Sequence, residues 1–193
     1  NMPTDNIPKE NWRNPLFLES LKCLRPKSQN VATALLSNFQ TTAEPSVQIL
    51  MLQTLKTLKT ATPEQINFIL EVFQSSSNEG ILLEAASILA ESGIEDPKVH
   101  ESLINIMSNN NDDDFKSYQS HLILKGLKPR SLVIQEMLLQ VFLSNSRSSI
   151  RGYAYSILRN SPIQTNELSQ FLAQNPHLKL SGSQKKMLQQ LGL

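Results

Sequence analysis

Cysteine is almost missing from this chain of 193 residues: Cys23 stands alone, which excludes an internal disulfide and leaves the redox compartment open. Charge is scarce as well. Charged residues make up 18% of the chain, below the roughly 25% of an average globular domain, and the formal net charge is only +1. On that sum, no global field draws the protein onto nucleic acid or anionic lipid. No apolar run approaches the ~18 residues that a membrane span requires. No basic stretch followed by an apolar one suggests a secretory leader. Sixteen asparagines produce no Asn-x-Ser/Thr acceptor, which leans against a glycosylated ectodomain. The six glycines leave no phosphate-cradling loop, and Gly-x-Ser-x-Gly, His-Glu-x-x-His and Cys-x-x-Cys patterns are all missing. The usual signatures of an enzyme are therefore absent.

What is present is a repeat. Leu35-Leu36-Ser37-Asn38-Phe39, Ile69-Leu70-Glu71-Val72-Phe73, Leu103-Ile104-Asn105-Ile106-Met107 and Leu138-Leu139-Gln140-Val141-Phe142 return at intervals of 34, 34 and 35 residues. Each sits in a segment with apolar residues three and four apart, the spacing of one helical face, and nothing alternates with the period of a strand. Asn14-Pro15 opens a first helix with Phe17, Leu18, Leu21 and Leu24 inward, ended by Pro26. Five helical pairs follow, at 28–41 with 45–60, 62–75 with 79–92, 96–108 with 112–126, 129–143 with 146–160, and a shorter, more polar 165–174 with 182–191. Ser28 is the expected cap of the first pair. Thr62-Pro63-Glu64-Gln65 reads as a capping box, Gly93 and Gly126 as helix ends. Prolines 63, 97, 129 and 162 mark where new pairs begin, since the first-turn amides have no internal acceptor to lose.

A single hairpin of amphipathic helices cannot cover both of its apolar faces and must bury them against its neighbours. Each fully buried Leu or Phe contributes about 1.5–3 kcal/mol. The fold expected is all-α, a right-handed α-solenoid of about five hairpins plus one N-terminal helix, forming a single domain over 14–193. Residues 1–13 are expected as an extended N-terminal arm, with Trp12 either stapling the arm to the first helix or standing exposed as a partner anchor.

The pairs resemble the HEAT-repeat family. The resemblance rests on Pro45-Ser46-Val47-Gln48 with Met51 and Leu55, on Ile81-Leu82 with Ala85 and Leu89, and on Ile150-Arg151 with Ala154 and Leu158, and it covers roughly 27–161. The family's ladder of Asp and Arg survives only at Arg151; Gln48, Leu82 and Lys116 occupy the other rungs. The Trp, Gly-Tyr and Ala-Phe positions of the tetratricopeptide repeat, which shares the period, are missing.

Basic side chains recur on or just after the second helices: Lys56, Lys59, Lys116, Lys125, Lys128, Arg147, Arg151 and Arg159. Arg151, Tyr155 and Arg159 are four apart and share one helical face. The HEAT resemblance implies that second helices line a concave surface, hence a basic groove able to hold an acidic or phosphorylated segment. The plainer reading is solvated charge, several near helix C-termini where cations are favoured, with Glu84 and Glu91 interrupting the set. The partner-binding residues expected are Lys56, Lys125, Arg151, Tyr155 and Arg159, and the function expected is a non-catalytic scaffold or adaptor for a protein or peptide partner, with no cofactor. Two alternatives remain: a nucleic-acid-binding protein of the alkylated-base DNA glycosylase type, and a lipid-carrying solenoid.

The other candidates read more simply. Asn109–Asp114 lacks the ligand spacing of a calcium loop and suits a helix N-terminus. His100, His121 and His177 lie in separate segments without a second ligand at helical spacing, and Cys23 reads as a small buried hydrophobe. Phe39, Phe73, Met107 and Phe142 recur at the repeat period and read as core.

Overall fold

The computed structural model describes residues 7–24, 29–58, 62–109, 114–176, 178 and 180–193. Among them are a short 3-10 helix, Lys9–Arg13, and eleven α-helices, with no strand. The chain forms two compact units, Asn1–Ser92 and Gly93–Leu193.

The first unit holds α1 (Pro15–Leu24), α2 (Gln29–Phe39), α3 (Pro45–Leu58), α4 (Pro63–Ser75) and α5 (Glu79–Glu91). Its helices start where the side chains can satisfy orphan amides. Asn14 Oδ1 accepts from the Leu16 N–H at 2.9 Å, and Thr62 and Gln65 cap each other's backbone reciprocally. Gly93 ends α5 with a φ of +73°, a conformation that costs glycine little. Helices α2 and α3 pair, α4 and α5 pair, α1 lies on α3, and the pairs meet first helix to first and second to second. Leu35, Met51, Leu52, Ile69, Ala85 and Leu89 fill the resulting core. At Gly80 the fit is close: a Cβ there would lie 2.7 Å from Ile49 Cδ1, so the tip of the Ile49 side chain on α3 would have to turn aside.

Three details differ from the sequence reading. Residues 9–13 are not extended but form the 3-10 turn, which buries Trp12 and sets its ring edge-on to Phe17 at 5.4 Å. Leu24 and Cys23, both expected inward, are exposed, and α1 buries only Leu18 and Leu21. The Ser28 cap falls outside the described residues, as do Asn1–Asn6.

The second unit comprises α6 (Pro97–Asn109), α7 (Asp114–Leu127), α8 (Leu132–Ser144), α9 (Ser148–Asn160), α10 (Thr165–Gln174) and α11 (Gly182–Gln190). Helices α6 and α7 pair, as do α8 and α9; α6 touches α8, α7 touches α9, and α10 rests on α8. Prolines 63 and 97 do open their helices, but α8 and α10 begin three residues after Pro129 and Pro162. Gln135 explains the offset. Fully buried, it donates to the carbonyls of Pro129 and Pro162 at 3.0 and 2.9 Å and accepts from the Gln164 N–H at 3.0 Å. The two prolines therefore mark a pair of loops tied by one amide. Other glutamines do the same: Gln48 bonds the Thr42 carbonyl, Gln164 that of Arg130, and Gln184 those of Phe142 and Leu143. Neutral amides satisfy loop carbonyls at net gains of about 1 kcal/mol each, without the desolvation a buried ion pair costs. Finally, α7 does not close at Gly126. It runs to Leu127, and Lys128 takes the left-handed turn at φ +50° before Pro129.

Candidate functional site

The five expected partner-binding residues are not equivalent. Lys56, in the first unit, donates to Ser87 Oγ at 2.6 Å and pairs with Glu91 at 3.1 Å, linking α3 to α5. Arg151 donates to the carbonyls of Asn145 and Ser146 at 2.8 and 2.9 Å, holding the loop that leads into its own helix. Tyr155 is 9% exposed; its hydroxyl donates to Gln190 Oε1 at 2.7 Å and its ring lies 5.8 Å from Phe142. The spacing that groups Arg151, Tyr155 and Arg159 on one side of α9 is real, but α11 covers the middle of it. Arg159 is exposed and Lys125 half-buried, and neither has a carboxylate partner among the described residues. Lys128 and Arg130 are likewise exposed without one. Arg147 pairs with Asp114, and Lys59 lies outside the described residues.

The side chains around Lys125 were not singled out by sequence. On α7, Phe115, Tyr118 and Leu122 are 66%, 45% and 48% exposed. They are three and four apart, so they form one stripe, which Lys125 continues by another three residues. The inward side of the same helix carries Ser117, Ser120 and His121, buried, with neither hydroxyl and neither imidazole nitrogen hydrogen-bonded. Tyr153 of α9 stacks on the His121 ring at 4.6 Å and 11°, and Tyr118 lies 6.1 Å from both rings. Burial, and secondarily the charge of Lys125, lowers the His121 pKa from its ordinary 6.5. His100 on α6 is lowered too, by burial, against an opposing bond to the Asp96 backbone and the charges of Glu95 and Asp96.

Each unit also has a shallow cavity. In the second, about 360 Å³ opens between the end of α8 and the first turns of α9 and α11, with Arg151, Ser148 and Ser183 above Phe142 and Met187. In the first, about 390 Å³ lies between α2 and α4, along Thr33, Leu36, Gln40, Gln65 and Phe68. No cluster of three potential metal ligands occurs among the described residues; His177 and Asn110–Asp113 lie outside them.

One electrostatic feature was legible and missed. From Phe115 to Leu193 the sequence has ten Lys and Arg against two Asp and Glu, whereas residues up to Asp114 have eight against fifteen. The near-zero whole-chain charge is a cancellation of these two stretches, and a running sum along the chain exposes it. No helix is long and apolar enough to cross a membrane among the described residues. No family model, curated protein or solved structure matches this chain.

Proposed function

We propose that the protein is a non-catalytic interaction module that holds an acidic protein or peptide partner. The observation that carries this reading is the surplus of cations after Asp114, four of which (Lys125, Lys128, Arg130 and Arg159) have no carboxylate partner among the described residues. An uncompensated basic surface of this kind speeds encounter with an anionic partner and selects against cationic ones. Within each unit we read the helical pairs as HEAT-like hairpins. Like helices touching like across neighbouring pairs, α2 to α4, α3 to α5, α6 to α8 and α7 to α9, supports that assignment. Of the five residues first singled out, Lys125 and Arg159 are the ones free to meet a partner; Lys56, Arg151 and Tyr155 are engaged inside their own unit.

The test is capture of binding proteins by the full chain and by a Lys125→Glu/Arg159→Glu variant. Loss of capture with helicity intact is expected, and unchanged capture would sink the reading. A nucleic-acid partner would share the attraction to cations but show a steep fall in affinity with salt, scaling with the number of phosphates contacted.

A further inference from the structure

We propose that the outward face of α7, the stripe Phe115–Tyr118–Leu122 ending in Lys125, is the surface on which the partner docks, and that its occupant is an acidic amphipathic segment. This rests on the interaction-module reading and narrows it to one face and one chemistry.

The first argument is that α7 is inside out over its first two turns, before Leu124 and Leu127 turn inward. Folding buries apolar side chains and leaves polar ones in water, because apolar area removed from water is what stabilises the fold. Here Ser117, Ser120 and His121 face inward with no hydrogen-bond partner, while a phenylalanine, a tyrosine and a leucine face solvent. About half or more of each of these three side chains stays in water, apolar area that only a further partner would cover. Three large side chains in one line also differ from the single exposed apolar residues that every protein surface carries.

Shape comes second. Phe115 to Leu122 spans seven residues, roughly 10 Å of helix, which matches the two-turn spacing at which a helical partner presents anchors. Tyr153 on α9 flanks the stripe through Tyr118 and gives it a wall on that side.

Charge decides the occupant. The stripe ends at Lys125, and Lys128 and Arg130 follow within five residues, none of them paired with a carboxylate among the described residues. The partner should therefore carry apolar anchors along its middle and carboxylates at the end lying over the α7 C-terminus. Leu122 favours a peptide over nucleic acid, since single strands are held chiefly on stacking aromatic rings and phosphate contacts, for which an aliphatic anchor has no use.

The experiment uses the full chain and a fluorescent helical peptide of roughly 18 residues, with Leu and Phe at i, i+3, i+4 and i+7 and Glu elsewhere, read by anisotropy. Binding is expected, and Phe115→Ser/Leu122→Ser should weaken it roughly tenfold or more while leaving the helical circular dichroism unchanged. Lys125→Gln should weaken it a few-fold, with a smaller salt dependence. Leu16→Ser/Leu24→Ser removes two exposed leucines from α1 and should change nothing. No peptide binding, equal binding of a sequence-scrambled peptide, or an equal loss in the α1 variant overturns the proposal. So does α7-dependent binding of an oligothymidylate that displaces the peptide, which would make the face a nucleic-acid site. Self-association abolished by the α7 variant, with no effect of the peptide on it, would assign the face to a second copy. If proteins are captured by the wild type and equally by Phe115→Ser/Leu122→Ser, this inference falls while the module reading survives; if the chain captures none, both fall.

Discussion

Helices α7 and α9 touch, belong to the same unit, and each follows its partner in a hairpin, yet they are built in opposite senses. In α9 the buried side is Ile150, Ala154, Tyr155, Ile157 and Leu158, and the exposed side is Ser148, Ser149, Gly152, Arg159 and Asn160. In α7 the buried side mixes Leu124 and Leu127 with Ser117, Ser120 and His121, and the exposed side is mostly ring and leucine. One helix is paid for by its own burial. The other is carried by its neighbours, which is how a fold can keep an apolar surface available for something else.

The largest effect expected from this contrast is on stability. Leu158→Ala, at a fully buried site on α9, should lose about 2–5 kcal/mol in urea unfolding, whereas Leu122→Ser on α7 should stay within about 0.5 kcal/mol of wild type. Comparable losses from both would mean that the α7 stripe is already covered. Next comes Gln135, on α8 between them. Gln135→Ala strands two carbonyls and one amide in the tied loops and should lower stability by about 2–3 kcal/mol. A loss no greater than that of an exposed residue would show that water replaces the amide there. Smaller, and opposite in sign, is Ser120→Ala. Removing a buried hydroxyl that bonds nothing, and improving helix propensity, should stabilise by about 1 kcal/mol. If Ser120→Ala destabilises instead, the hydroxyl has a partner and α7 is less strained than it looks.

The helical architecture was legible because it depends on period. A residue such as Ile69 or Leu103 recurs where the next hairpin needs it, and Thr62 with Gln65 announces its helix before any packing is known. Which side of α7 faces inward was not legible. Its pattern offers two half-apolar faces, and the choice is made by α6 and α9, not by the helix itself. The same limit applied at Tyr155: helical spacing placed it beside Arg151 and Arg159 but could not show that Gln190, 35 residues on, would cover it. Leu24 shows the same limit, being three residues from the buried Leu21 and yet exposed. The charge step at Asp114 needed no structure at all. It was hidden by summing over the whole chain.

The smallest expected effect is acid sensitivity, and it too separates the two helices. Helix α9 has no histidine, while α7 has His121, held below 6.5 by burial and by Lys125. Above that value the imidazole is neutral in both the folded and unfolded chain and does not bear on stability. As pH falls through 6.5 the unfolded chain takes up a proton that the folded chain resists, so the unfolded state gains and stability declines. His100 on α6 acts in the same direction for the same first cause, burial. Unfolding midpoints should therefore drop between about pH 7 and about pH 5.5, before most carboxylates begin to titrate. His121→Leu should flatten that drop without abolishing it, since His100 remains. A slope indifferent to His121→Leu would mean that the folded protein accepts the proton freely, and that the inner side of α7 is wetter than its burial implies.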